Sequence, residues 1–594
     1  MANQSPRKKA VDDAASVKMA AGSSLPAWFR HEWVWGLWLV LAVILVYQPV
    51  WYAGFIWDDD DHVTANPCIV GPLGLKEIWT TSLANFFPLT LTTFWLEHAL
   101  WGVAPLPYHL VNVLQHAACA VVLWRILLML RVPGAWLGAA LWALHPVEVE
   151  SVAWVSEMKN TESGLFFLLS ILFFLSWVNA KNRDEQGGSA RDYALALIFG
   201  ALAMAGKSST SILPMILCVG AWWMERRWRW TNLARVAPFF FESIVATLLG
   251  LWVEKLQLTV VTDPQWVRTW PERLATAGDA VWFYLGKLLW PWPLITIYPR
   301  WQIDGGQGIS YLPLLAVIIA MVVLWLKLNS WGWPWFFVFA YFLVALLPGL
   351  GLVDNTIFHY SFVFDHFQYL ASMGPLALAG AGIVRWSDFA ISERPWLLPV
   401  VAAGVLLILG LLSWERAWAY ENQETLWTDT LAKNPNCWAA HNNLGSVLYQ
   451  RGDVEGAVTH FQKALEINPN DAEAHCNLGN VLLQSGKADA AVAEYQKALD
   501  LKPDYDQAEN DLGGAFYQKG EVDEALAHFQ KALQINPNRA DAHNNLGVAL
   551  VQKGRVDEAI TQYQIALAIT HDYAQARSNL ARAQALKNAA PEKK

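Results

Sequence analysis

Residues 33–62 read WVWGLWLVLAVILVYQPVWYAGFIWDDDDH. The run from Trp33 to Trp51 is uncharged and apolar, and its length fits one membrane crossing at roughly 20 residues. It lacks a small-residue cleavage site, so it reads as an uncleaved anchor rather than a signal peptide. Asp58, Asp59, Asp60 and Asp61 follow directly, flanked by Trp57 and His62. Neighbouring carboxylates repel one another and must stay hydrated or find a cation. The run therefore suits a base or metal ligand at the membrane surface, or else a hydrated loop.

The rest of the chain extends the first half of this reading. Of 594 residues, 55% are hydrophobic and only 16% are charged, and the mean hydropathy is +0.25. A soluble protein of this length carries more charge. The apolar runs end near Trp414, and from Glu415 onward the sequence is polar and Ala-rich. This predicts an all-α protein with a polytopic membrane domain and a separate C-terminal domain. No basic patch points to nucleic acid. The five cysteines show neither CxxC pairing nor an even disulfide framework. Many of the 35 tryptophans flank apolar runs, as interfacial anchors do.

Further spans are expected near 110–130, 133–147, 162–179, 192–206, 209–224, 236–253, 311–328, 333–349, 367–384 and 396–413, making about eleven. The basic loops (Arg125 and Arg131, Lys181 to Arg191, Arg226 to Arg235, Lys327, Arg385 and Arg394) then share one face. The positive-inside rule makes that face cytoplasmic. The aspartates and the C-terminal domain face outward, toward the periplasm if the membrane is a bacterial inner membrane. Leu274 to Tyr298 is apolar but carries Asp279, Lys287, Pro291 and Pro293, and is read as a surface-lying or re-entrant helix. Residues 1–30 are expected to be a disordered cytoplasmic tail, 31–414 the membrane domain, 415–435 a linker with a half-repeat, and 588–594 a disordered end.

Residues 436–587 repeat with a period of 34. Pro435, Pro469, Pro503 and Pro537 keep the register, as do Gly452, Gly486, Gly520 and Gly554. Each unit pairs a small-residue helix with a second helix bearing Phe461, Tyr495, Phe529 or Tyr563. This is the tetratricopeptide pattern, which stacks into an α-solenoid. Asn436, Asn470, Asp504, Asn538 and Asp572 stand where the first helices need N-caps. Asn443, Asn477, Asp511, Asn545 and Asn579 recur once per unit. Such a ladder either holds an extended acceptor polypeptide through its carboxamides or joins neighbouring helices.

Polar groups gather at the predicted outer ends of spans: His109, His145, Glu150, Glu157, Lys159, Lys207, Arg300 and Asp365. Ionisable residues at membrane depth are expensive, and their convergence favours a site. Carboxylates with a few cations suit an acceptor base and a phosphate clamp. The bland readings are a packing role for His116, an ion pair between Glu150 and Lys159, and a Lys207 that snorkels to headgroups.

Several blocks of sequence are distinctive together: Phe55-Ile56-Trp57-Asp58-Asp59, Pro88-Leu89-Thr90, Tyr108-His109-Leu110-Val111-Asn112, the stretch from His145 to Asn160, and Gln368-Tyr369-Leu370. They resemble the transmembrane and tetratricopeptide-repeat protein O-mannosyltransferases and their bacterial relatives. The resemblance implies a GT-C glycosyltransferase fold and transfer of a mannose-like sugar from a polyprenyl-phosphate donor to Ser or Thr of an acceptor protein. The other readings are a non-catalytic membrane-anchored repeat scaffold and a lipid-glycan ligase. By the same resemblance Asp58 and Asp59 are the catalytic pair, one as base, the other orienting the hydroxyl or binding a divalent cation (Mg or Mn) with Asp60. Lys159, Lys207 and Arg300 become the clamp on the lipid phosphate. Four positions depart from the family pattern, Phe87, Met158, Ser208 and His366, and each removes charge from that region.

Overall fold

The computed structural model describes residues 31–71, 73–81, 87–182, 189–258, 268–353, 356–390 and 396–589. The expected tail at 1–30 lies outside the described residues, as does 590–594 of the tail expected at 588–594, whereas Asn588 and Ala589 close the last helix. Within the described residues the regular elements are helical, and there is no strand.

Apolar runs become helices in a membrane because only a helix satisfies every backbone group from within one segment. Among the described residues six helices are long and apolar enough to cross: Pro105–Met129, Val155–Ala180, Thr231–Val253, Gly308–Leu326, Gly332–Gly349 and Leu397–Tyr420. The other five expected spans carry shorter or less apolar helices: Glu32–Val46, Ala135–Ala143, Ala190–Gly206, Leu213–Glu225 and Met373–Ala390. Large apolar side chains stand outward on several of the long helices, among them Leu248, Ile319, Leu326, Leu407 and Ile408. An apolar face left open along whole helices is the face lipid covers.

Inside, polar side chains tie irregular backbone down. Residues 145–157 form three short helical turns and are buried throughout. Asn112 on Pro105–Met129 donates to carbonyls of this loop, at 3.0 Å from Val152 and 3.2 Å from Trp154. His116, one turn on, bridges Tyr369 Oη at 2.9 Å and the Ala143 carbonyl at 3.0 Å, so it is a satisfied packing residue. The segment expected to lie on the surface is a helix only over Trp270–Leu289. Beyond it, Leu294–Tyr298 is buried and nonhelical, passing under the entrance to the C-terminal domain.

The segment expected as a linker with a half-repeat also anchors the joint. Gln423–Lys433 is a helix, and Trp427 on it is fully buried, edge-on to Trp57 at 5.1 Å. Arg416 Nη1 meets Asp429 Oδ2 at 2.6 Å, and Asn434 donates to the Ile297 carbonyl at 3.1 Å. Gly54, four residues before the aspartates, donates its N–H to Glu421 O at 2.9 Å.

Helix pairs then stack from Trp438 to Ala589. Gly445, Gly479, Gly513 and Gly547 let the first helix of each unit approach the aromatic of the second, so a Cβ on Gly479 would sit 2.6 Å from Tyr495. The expected N-caps fall one residue late: the capping positions are Cys437, Asp471, Tyr505 and Arg539. Only Asp471 caps with its side chain, accepting from the Glu473 and Ala474 N–H groups.

Candidate functional site

A cavity of about 1210 Å³ opens between the membrane helices and the first repeats. Asp58, His62, Glu157, Lys159, Lys207 and His366 line its membrane side, and Asn470, Asp471, Glu473 and Asp504 its repeat side.

The two leading aspartates part company here. Asp59 is fully buried. Its Oδ2 accepts the Ile56 N–H at 2.9 Å and its Oδ1 the Ser156 N–H at 2.7 Å. It therefore clasps the first loop to the 145–157 segment. Burial pushes its carboxyl up to about 7, against those hydrogen bonds. Asp58 is half-buried and faces the cavity. Burial raises its carboxyl to about 6, with Lys159 pulling the other way. Asp60 and Asp61 are exposed, and Asp60 accepts from Thr64 Oγ1 at 2.5 Å.

Lys159 and Lys207 converge on Glu157. Lys159 Nζ lies 2.8 Å from Glu157 Oε1, and Lys207 Nζ lies 3.8 Å from Oε2. Asn160 completes the group, accepting from Lys207 at 2.5 Å and donating to Glu157 at the same distance. Phe87 lies against the Lys159 ammonium at 5.3 Å. Burial lowers the Lys207 ammonium to about 8, opposed by Glu157. Two polar atoms on the wall, His62 Nε2 and Trp154 Nε1, are buried without a hydrogen-bond partner.

The remaining expected site residues stand behind the wall. Glu150 pairs with His366, at 3.2 Å from both its Nδ1 and its N–H, and not with Lys159. His145 bonds the Leu288 carbonyl at 3.2 Å, and His109 approaches Gly54 O at 3.4 Å. Asp365 accepts from Tyr298 Oη at 3.0 Å. Arg300 is not among the lining residues. Its Nη1 donates to the carbonyl of His359, which is, at 3.0 Å. The spacing of the sequence could not separate lining from support, because both occupy the same short motifs. Asn160 and His366 are the cavity residues that sequence reasoning undervalued.

The metal expectation does not fit the donors. Both Asp59 oxygens are engaged by backbone, and among the described residues no three His, Cys, Asp or Glu side chains group to hold an ion. Three members of the asparagine ladder join neighbouring helices. Asn477, Asn545 and Asn579 donate to Asn442, Asn510 and Asn544 of the preceding unit at 2.9–3.1 Å. Asn443 bonds within its own helix, and Asp511 accepts from Asn510. All five are half-exposed.

Residues 445–486, 479–520, 513–554 and 549–588 match a family model described as TPR repeat. Over 475 residues the chain is 25% identical to the mouse protein O-mannosyl-transferase TMTC3, covering 72% of this chain and 50% of that one. Its curated relatives are protein O-mannosyl-transferases. The human TMTC4 protein is 23% identical over 503 residues, covering 72% of this chain and 66% of that one. The mouse TMTC2 protein is 30% identical over 173 residues, or 27% and 20% of the two chains. The chain thus spans about half the length of the TMTC3 relatives it matches. Among solved structures, a MamA protein is 27% identical, covers 24% of this chain and 79% of that one, and has a TM-score of 0.22. The family of these relatives is the one the loop motifs resemble.

Proposed function

We propose that the chain is an extracytoplasmic protein O-glycosyltransferase of GT-C type. It moves a mannose-like sugar from a polyprenyl-phosphate donor to Ser or Thr of an acceptor protein presented by the repeats. One observation carries this reading: a half-buried carboxylate, Asp58, shares a cavity with Lys159 and Lys207, and the same cavity reaches the repeats.

Asp58 is the base. An acceptor hydroxyl gives its proton to the Asp58 carboxylate as its oxygen bonds to the anomeric carbon. The bond from that carbon to the phosphate oxygen breaks, and polyprenyl phosphate leaves with the electron pair. A carboxyl near 6 is mostly ionised at neutral pH yet basic enough to assist. Lys159 and Lys207 stabilise the phosphate charge as the sugar departs, and Glu157 with Asn160 holds both ammonium groups in place. Asp59 positions the loop. The arrangement needs no step through a metal.

A membrane-anchored scaffold without catalysis is the second reading. It is favoured by one feature: Glu157 already neutralises part of the cationic pair. Membranes holding wild-type or Asp58→Asn protein, given a labelled polyprenyl-phosphate mannose and a Thr-containing protein acceptor, separate the two. Transfer by the wild type and loss in the variant support the enzyme. No transfer by the wild type with any labelled sugar lipid leaves the scaffold.

A further inference from the structure

The repeat side of the cavity is acidic in a way the proposed chemistry does not use. Tyr360 stands at the seam, half-buried, with one ring face stacked on Trp438 of the first repeat at 5.4 Å. Trp57 meets it edge-on at 5.8 Å. Tyr360 lines the cavity together with Asp58, Asp471 and Glu473, and burial with the charges of Glu473, Asp58, Asp471 and Asp61 pushes its phenol up. Glu473 opens onto the cavity and is held by Asn442, which donates at 3.2 Å. Asp471 is 7% exposed. Its Oδ1 caps the helix, but its Oδ2 is buried on the cavity wall with no hydrogen-bond partner. A carboxylate oxygen left in that state is costly unless a donor reaches it or the group takes a proton, and burial beside Glu473 raises the Asp471 carboxyl to about 7.

The cations nearby do not supply that donor. Lys159 is committed to Glu157, and Lys502, which lines the same cavity as Glu473, rests on the Tyr505 ring at 4.6 Å. The carboxylates are also too spread to share one ion. A long cationic side chain fits instead, because it brings several N–H donors and places its charge against an aromatic face.

We propose that this seam is a specificity subsite that takes a Lys or Arg side chain of the acceptor polypeptide, at a fixed sequence offset from the hydroxyl presented to Asp58. The site rests on the glycosyltransferase reading for its biological meaning, yet it is testable by binding alone. The acceptor is then chosen by a basic residue as well as by its hydroxyl, and the repeats contribute through their cavity edge.

The test pans full-length protein in detergent against a displayed peptide library, each peptide carrying one fixed Thr in random flanks. Wild type is expected to enrich Lys or Arg about tenfold at one offset, the scale of a charge-assisted contact. The Asp471→Asn, Glu473→Gln double variant keeps the N-cap and the acceptor for Asn442, so it is expected to fold and to lose the enrichment. Glu473→Lys is expected to shift enrichment toward Asp and Glu. No basic preference in the wild type, or the same preference in both variants, overturns the proposal. Because no sugar is transferred in this assay, basic selection that persists where transfer fails sinks the enzyme reading and not the subsite.

Discussion

A carboxylate buried off the cavity, with both oxygens held by backbone N–H groups, cannot meet an acceptor hydroxyl, and Asp59 is such a group. Asp58, one residue earlier, carries no such burden. Asp58→Asn is therefore expected to cut transfer by 10²-fold or more, the scale of a lost general base, while leaving the thermal midpoint unchanged. Asp59→Asn sets an amide NH₂ against a buried N–H. It is expected to cost about 1–3 kcal/mol of stability, read as a lower midpoint and less folded protein. The pH profile of kcat/KM follows from two groups. Asp58 must be ionised, so the rate falls as pH drops below about 6. Lys207 must be protonated, so it falls again above about 8. A flat profile between pH 5 and 9 would remove both from their roles. The sequence made the acidic pair and the lysines legible because their types are rare at membrane depth. It could not tell Asp58 from Asp59, since which of two neighbours turns inward depends on the Ser156 amide, nearly a hundred residues away.

The repeat helices show what periodic sequence does and does not encode. Period and helix pairing were both legible, because each is local and recurs every 34 residues. The asparagine ladder was not. A half-exposed carboxamide on a recurring position fits both a ligand contact and a staple, and only its partner 35 residues back decides. Asn545→Ala is expected to remove one such staple and about 1 kcal/mol, without affecting the peptide preference at the cavity edge. Gly479→Ala asks more of the fold, because the new Cβ meets the buried Tyr495 ring. It is expected to cost about 1–3 kcal/mol through overpacking, visible as a lower unfolding midpoint of the repeats. The N-cap expectation sits one residue early because it starts each helix directly after the Pro-Asn or Pro-Asp pair. The chain in fact spends one further residue closing that turn.

On the scale of the molecule, the membrane and repeat parts share one core through Trp57, Trp427 and the 294–298 segment. Hydropathy drew a boundary at 414 and a linker after it, because polarity changes there. It had no signal for a buried tryptophan that closes the joint. Trp427→Ala is expected to cost about 3–5 kcal/mol and to uncouple the two parts, giving two unfolding transitions and protease cleavage between 415 and 435. Coupling matters to the account because the hydroxyl, the base and the repeat edge must be held in one cavity. The most direct measurement is intact-mass spectrometry of membrane and secreted proteins from cells lacking this gene, complemented with wild type or with Asp58→Asn at equal membrane abundance. Hexose-sized mass additions on Ser or Thr are expected with the wild type and none with the variant. Equal glycosylation in both, or none in either, would contradict the proposed function.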